Sequence, residues 1–283
     1  MKSLIMYYYN LNKIEINDKN NKIKFKDEIY ELIKVNNDKE IYFQYNLSKN
    51  RNEYDQIILN KDNNIITKYK DSNYILLKRK EITKDILNKI INTKKLYYIE
   101  KDYVIWPKLW SYKCDYIEEH YNTIRGRYCL IDDTIDYYIG MTETAINYYN
   151  YNINNEIINE LYLVHKRISY EEFNNPINIY IDIKERDYAE YLKMIFITKE
   201  YLNIDLNHVL NKFNLTRESS IKIISRLLYP SYYYDIYEHI VLNKELEDRL
   251  KDIIKRVEEY EIYIKKIHTL ISQSIDLPNI DWL

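Results

Sequence analysis

His165, Asn175 and Asp182 have the residue types, and the order along the chain, that phosphoryl transfer uses. Leu163-Val-His165-Lys-Arg167 reads as a short apolar strand ending in His. Asn174-Asn175-Pro176-Ile-Asn178-Ile-Tyr-Ile-Asp182 continues as an Asn-rich loop and a second strand ending in Asp, and Arg186-Asp187-Tyr-Ala-Glu190 then opens a helix. Moving a phosphoryl group needs an anchored nucleotide, metal ions on its phosphates and a carboxylate to orient the acceptor hydroxyl. A strand-end Asp182 can hold a metal ion or cap the helix behind it. Asn175, flanked by Asn174 and Asn178, can supply a second metal ligand or simply turn the loop. His165 can serve as a hub that hydrogen-bonds nearby backbone through its ring. Arg167 stands where a catalytic Asp would follow the His, and a guanidinium that stays protonated cannot be a general base. Its expected role is an ion pair with Asp182 or Asp187. His165 and Arg167 are therefore degenerate catalytic positions.

Other chemistries find less support. Lys34 lies on a predicted strand where it can bind a phosphate, with Glu40, Glu53 or Asp55 to meet it from a following helix; a Lys on a strand is otherwise a solvated face. No G-x-S-x-G occurs, and the five His residues, His120, His165, His208, His239 and His268, show no paired ligand spacing. Cys114 and Cys129 form neither a metal pattern nor a disulfide framework, as expected of reduced thiols in the cytoplasm.

Composition narrows the field further. Lys and Arg number 42 against 44 Asp and Glu, a net charge of -2, so no global basic field gathers nucleic acid or an anionic membrane. Tyr is 34, Gly 2 and Pro 4, with Asn, Ile and Lys over-used, as AT-rich codons of a bacterial genome produce. The only glycines are Gly126 and Gly140, so the N-terminal region lacks a Gly-rich phosphate loop. No signal peptide is predicted and no apolar run is long enough to span a membrane. Tyrosine runs at 148–151 and 229–234 suit an interaction surface, although codon bias supplies much of them.

The elements that must position these residues fall into two parts. Up to Lys80 the sequence predicts strands at Ile14–Ile16, Ile23–Phe25 and Ile29–Val35, turns at Asn17–Asn21 and Asn36–Asp38, a helix over Lys39–Leu59, and a hairpin of Ile65–Tyr69 and Tyr74–Lys78. From Glu81 the pattern is helical: Thr83–Ile91, Trp106–Tyr121 with Pro107 in its first turn, Thr134–Tyr149, and Glu185–Glu200 after the strand-loop-strand centre. Leu246, Leu250, Ile253, Val257, Tyr260, Ile264, Ile267 and Ile271 mark one long final helix with an apolar stripe, which packs on a core or pairs in a coiled coil. The terminal Trp282-Leu283 is expected to dock into a groove.

These pieces carry a resemblance. Trp106-Pro-Lys-Leu-Trp110-Ser-Tyr-Lys113-Cys-Asp115, Tyr138-Ile-Gly140-Met-Thr-Glu143, Val164-His165-Lys-Arg167, Arg186-Asp187-Tyr-Ala-Glu190-Tyr191 and Arg226-Leu-Leu-Tyr229-Pro230 resemble the aminoglycoside-phosphotransferase and choline-kinase superfamily, and most closely its spore-coat-associated YutH/CotS type in Bacillota. The resemblance implies an α+β, two-lobed protein-kinase-like fold, with a small antiparallel β-rich N-lobe over 1–80 and a larger helical C-lobe over 81–283. It places His165 on the His of the family's H-x-D motif, Arg167 on its Asp, and Asp182 on its metal-binding Asp. The expected function is that of a pseudokinase acting as a binding or scaffold protein, with an unidentified protein or small-molecule partner, cytoplasmic or on the spore coat of a sporulating host. An active small-molecule phosphotransferase is the first alternative; only under it are ATP and Mg cofactors, with Lys34, Asn175 and Asp182 to hold them. A helical interaction protein with no nucleotide role is the second.

Overall fold

The computed structural model describes residues 2–11, 15–17, 22–35, 38–96, 105–153, 160–243 and 246–281. The chain is mixed α+β, with an antiparallel sheet in its N-terminal region and helices over most of the remainder. It divides into two compact units, Met1–Ile86 with Val164–Ile181, and Leu87–Leu163 with Asp182–Leu283. The loop that carries His165 and Arg167 thus groups with the N-terminal sheet, whereas the sequence reading put it in the later segment, 81–283.

In the first unit, α1 (Lys2–Tyr9) precedes strands β1 (Glu15–Asn17), β2 (Lys22–Phe25) and β3 (Glu28–Val35); α2 (Asp38–Asn50) then leads to β4 (Gln56–Ile58), β5 (Thr67–Tyr69) and β6 (Ser72–Arg79). The sheet runs β1-β2-β3-β6-β4, with β5 paired to β6, and its strands pair antiparallel. Alternation sorts its residues by face. Ile23, Tyr30, Leu32 and Leu76 pack with Leu4, Ile5 and Tyr9 of α1. Val35, Ile57, Ile75 and Leu77 pack with Ile41 of α2 on the opposite face. The register Leu32 to Leu76 and Ile33 to Ile75 keeps the two faces separate across the central pair.

Within the first 80 residues, two elements escaped the sequence reading. The run Lys-Ser-Leu-Ile-Met-Tyr-Tyr-Tyr is a modest helix former, and α1 gains its stability by burying three side chains on the sheet and hydrogen-bonding Tyr9 to Thr67 at 2.8 Å. The helix expected to reach Leu59 stops at Asn50, and Gln56–Ile58 pairs with β6 instead. A short apolar run cannot be told from helix by periodicity alone. Ile14, the turn residues Asp18–Asn21 and Asn36-Asn37, and Trp282-Leu283 lie outside the described residues.

In the second unit, α3 (Ile86–Ile91) and β7 (Lys95–Leu96) precede α4 (Trp106–Ile124) and α5 (Cys129–Asn152). Trp106, Trp110, Cys114 and Ile117 recur at helical spacing along the buried side of α4. Gly126, at φ +80, ends α4 in the left-handed region and donates its N–H to the Asp132 carboxylate of α5. Strand β8 (Leu161–His165) pairs with β7 at its start, and the chain passes between the units within β8 and within β9 (Ile179–Asp182). The helices α6 (Glu185–Ile197), α7 (Leu206–Lys212), α8 (Arg217–Leu228), α9 (Ser231–Asn243), α10 (Asp248–Ile254) and α11 (Val257–Ser272) follow. The expected single final helix is therefore two, broken at Lys255-Arg256, where the Arg256 side chain turns to the Phe196 carbonyl and Glu259. Its stripe is mixed: Leu250, Ile264, Ile267 and Ile271 are buried while Leu246 is exposed.

Candidate functional site

The loop from β8 to β9 is held by its own side chains. The Lys166 N–H donates to the Asn178 carbonyl at 2.7 Å and closes the loop at its base. His165 is buried, stacks on Phe173 with centroids 4.2 Å apart, and has Nε2 3.1 Å from the Phe173 carbonyl oxygen. A carbonyl only accepts, so this bond places the imidazole proton on Nε2. His165 thus serves as a backbone hub. Arg167 donates from its guanidinium to the Lys166 carbonyl at 2.7 Å, and its own N–H is received by the Asn178 side-chain oxygen at 3.1 Å.

The three asparagines turn and tie this loop. Asn174 accepts from the Thr83 hydroxyl at 2.8 Å and donates to the Glu81 carbonyl at 2.9 Å. Asn175 accepts from the Ile177 N–H at 2.9 Å and donates to the Glu172 carboxylate at 2.6 Å. Asn178 donates to the Arg167 and Glu172 carbonyls. A metal ion drawn to the Asn175 oxygen has to compete with the turn that the same oxygen caps.

Lys34 lies in β3 and is exposed, paired in register with Tyr74, whose ring packs on the α1 side of the sheet. Alternation sets it on the face away from α2. The carboxylates expected to meet it go elsewhere: Glu40 to Lys166 at 3.1 Å, Glu53 to Arg51 at 3.5 Å, and Asp55 to Arg79 at 3.4 Å. A buried cation on the α2 face is Arg79, which sequence reasoning missed. It is buried among Glu31 at 3.3 Å, Asp55 and Glu172 at 3.1 Å. Burial pushes the carboxyl groups of Glu31 and Asp55 up from their ordinary range against the pull of that guanidinium. Arg79 ends an ordinary strand pattern, and no local spacing marks it as a hub.

Asp182 belongs to the second unit. Its carboxylate receives the Trp106 indole N–H at 3.2 and 3.0 Å to its two oxygens, the Ile183 N–H at 2.8 Å, and the Arg186 guanidinium at 3.3 Å. Asp182 does not cap α6, whose N-cap Lys184 has no side-chain cap bond; its carboxylate accepts from the Ile183 N–H just before the helix and pairs with Arg186, a partner that the sequence reading did not name. The spacing of four residues could have signalled that pair; the Trp106 contact, from a separate helix, has no local signal. Trp106 is sandwiched in turn. Its ring stacks on Trp110 and lies 5.2 Å from the Arg226 guanidinium carbon. Arg226 closes on Glu190 of α6 at 2.8 Å, both side chains being almost fully buried. A divalent cation on Asp182 has to displace an indole N–H and work beside a fixed guanidinium, so the group is poorly suited to take one.

Cys114 is buried, and burial pushes its thiol up to about 11, while Cys129 is exposed; both are free thiols. Among the described residues no cluster of His, Cys, Asp and Glu could hold a metal ion, and no helix is long and apolar enough to cross a membrane.

Solved structures follow this fold along nearly the whole chain. An aminoglycoside phosphotransferase from Alicyclobacillus acidocaldarius subsp. acidocaldarius DSM 446 superposes with a TM-score of 0.57 at 10% identity, covering 96% of each chain. The AMP-bound spectinomycin phosphotransferase APH(9)-Ia gives 0.51 at 12% identity, covering 94% of this chain and 93% of that one. Such identities show a kinase-like fold and nothing more. No curated protein matches the sequence. The sequence profile of one family, described as Spore coat putative kinase YutH, matches residues 2–267. With that match over most of its length, the chain belongs to the Spore coat putative kinase YutH family.

Proposed function

We propose that this protein is a pseudokinase that works as a binding or scaffold protein of the spore coat, with the lobes of a phosphotransferase and without its reaction. The observation that carries this reading is the state of Asp182, whose two oxygens already hold Trp106, Ile183 and Arg186. Arg167 in place of a base, the Asn175 amide committed to its turn, and the exposed Lys34 on the face away from α2 support it. Phosphoryl transfer depends on positioning and on metal electrostatics, and each of these features weakens one or the other.

The test is turnover by the full chain with Mg·ATP and aminoglycoside, choline or sugar acceptors. No phosphotransfer above background is expected, either from the wild type or from Arg167→Asp, because restoring a carboxylate leaves Asp182 occupied. Turnover that disappears in Asp182→Ala establishes an active phosphotransferase and ends the scaffold reading.

A further inference from the structure

The second unit contains a cavity of about 400 Å³ set among α5, α6, α9, α10 and α11, within the size range of small-molecule sites. It adjoins the distal part of α6, away from the Asp182 end of that helix. Its wall is mostly aromatic and aliphatic, with Met141, Phe196, Tyr233, Ile253, Val257 and Tyr260 among its residues. Such a wall takes up a flat ring, which gains both apolar burial and aromatic contact.

The polar groups of the wall fall into two sets. One set is engaged by the protein itself. Tyr137 donates to Glu261 at 2.6 Å, Tyr233 shares a hydrogen bond with Thr134 at 3.0 Å, and Tyr260 donates to the Leu227 carbonyl at 2.8 Å. Lys193 donates to the Tyr229 carbonyl at 2.8 Å and to Ser231 at 3.1 Å, and Arg256 to Glu259 at 2.7 Å and the Phe196 carbonyl at 2.8 Å. The Tyr138 hydroxyl is buried, out of a ligand's reach. The other set is Arg249 and Asp252. Both line the cavity from α10 and both are exposed, which puts them at its mouth. Residues three apart on a helix are neighbours on its surface, with Cβ atoms about 5–6 Å from each other. The mouth therefore presents a positive and a negative charge side by side. A ligand with one charge is drawn to one of them and repelled by the other. A zwitterion satisfies both: its carboxylate accepts from a guanidinium, whose five donors can serve more than one acceptor, and its ammonium donates to the Asp252 carboxylate.

We infer that this cavity binds a free aromatic α-amino acid, with its ring against the apolar wall, its carboxylate on Arg249 and its ammonium on Asp252. The site is separate from Asp182 and stands whether or not the protein transfers phosphate.

Calorimetric titration of the full chain with L-tryptophan is expected to show saturable binding at about one equivalent. Three analogues each lack one part of it. L-Alanine, without the ring, is expected to show no saturable binding. Tryptamine, without the carboxylate, and indole-3-propionate, without the ammonium, should each bind roughly fivefold more weakly than L-tryptophan, the upper range for one exposed charge pair. Asp252→Asn should weaken L-tryptophan to the level of indole-3-propionate without weakening that analogue. Arg249→Gln should weaken L-tryptophan to the level of tryptamine without weakening tryptamine. Both positions are exposed, so the variants should fold, with circular dichroism to verify it; if either does not, the analogue series on the wild type decides alone. Absence of saturable L-tryptophan binding, an analogue that binds as tightly as L-tryptophan, or wild-type affinity for L-tryptophan in either variant overturns the assignment.

Discussion

Asp182, Trp106, Arg226 and Glu190 form a continuous chain of buried contacts, and its polar links are costly to break. Removing one member of a buried ion pair leaves an uncompensated charge, so Glu190→Ala should destabilise by about 3–5 kcal/mol in urea unfolding. A double replacement of Glu190 and Arg226 by apolar residues of similar volume should cost less than that single change. Glu185, at the start of α6, behaves in the opposite sense. Burial raises its pKa above the ordinary value, outweighing Lys222 and Lys184. The folded state then binds the proton more tightly than the unfolded state, and stability falls as pH rises through the window between the two values. Glu185→Gln should therefore raise Tm at neutral pH, with the gain over wild type shrinking to nothing as pH drops to the ordinary glutamate value. A gain that is constant across pH, or a loss at neutral pH, contradicts this assignment. At this scale the sequence disclosed residue types but not partners. Arg167 and Asp182 could be picked out from spacing within one loop, whereas Trp106 and Arg79 act through contacts that only the folded chain creates.

Among the elements, the scarcity of glycine leaves a physical mark. The turns between β2 and β3 and between β5 and β6 place Lys26 at φ 56 and Lys70 at φ 52, a region that disfavours a side chain. Lys70→Gly should stabilise the hairpin by about 0.5–1 kcal/mol in thermal unfolding, the relief of strain exceeding the added freedom of the unfolded chain. In α11, Ile264 is fully buried, so Ile264→Ala should cost about 2–5 kcal/mol. Leu246→Ser, at the exposed end of the same apolar stripe, should stay within about 0.5 kcal/mol. The helices α4, α5 and α6 were legible because a long amphipathic period repeats over several turns. The hairpin β5-β6 was legible from its flanking turn residues. The short helix α1, the strand β4 and the break between α10 and α11 were not, since each depends on what the segment packs against.

For the whole molecule, the antiparallel sheet, the helical remainder and the family were all readable from the order of elements and from motifs spread over the chain. The grouping of Val164–Ile181 with the N-terminal sheet was not, because that loop joins the sheet through contacts such as the Asp55 N–H on the Asn174 carbonyl at 2.8 Å and Gln44 on the Ile177 carbonyl at 3.1 Å. A kinase-like fold can persist while its site changes, since packing and chemistry are carried by different residues. The central claim is that the protein's own donors occupy the carboxylate a nucleotide-bound metal would need. Calorimetric titration of the full chain with Mg·ATP tests it most directly. The account predicts no saturable heat at nucleotide concentrations up to the millimolar range. Micromolar binding that requires Mg and is lost in Asp182→Asn would contradict it.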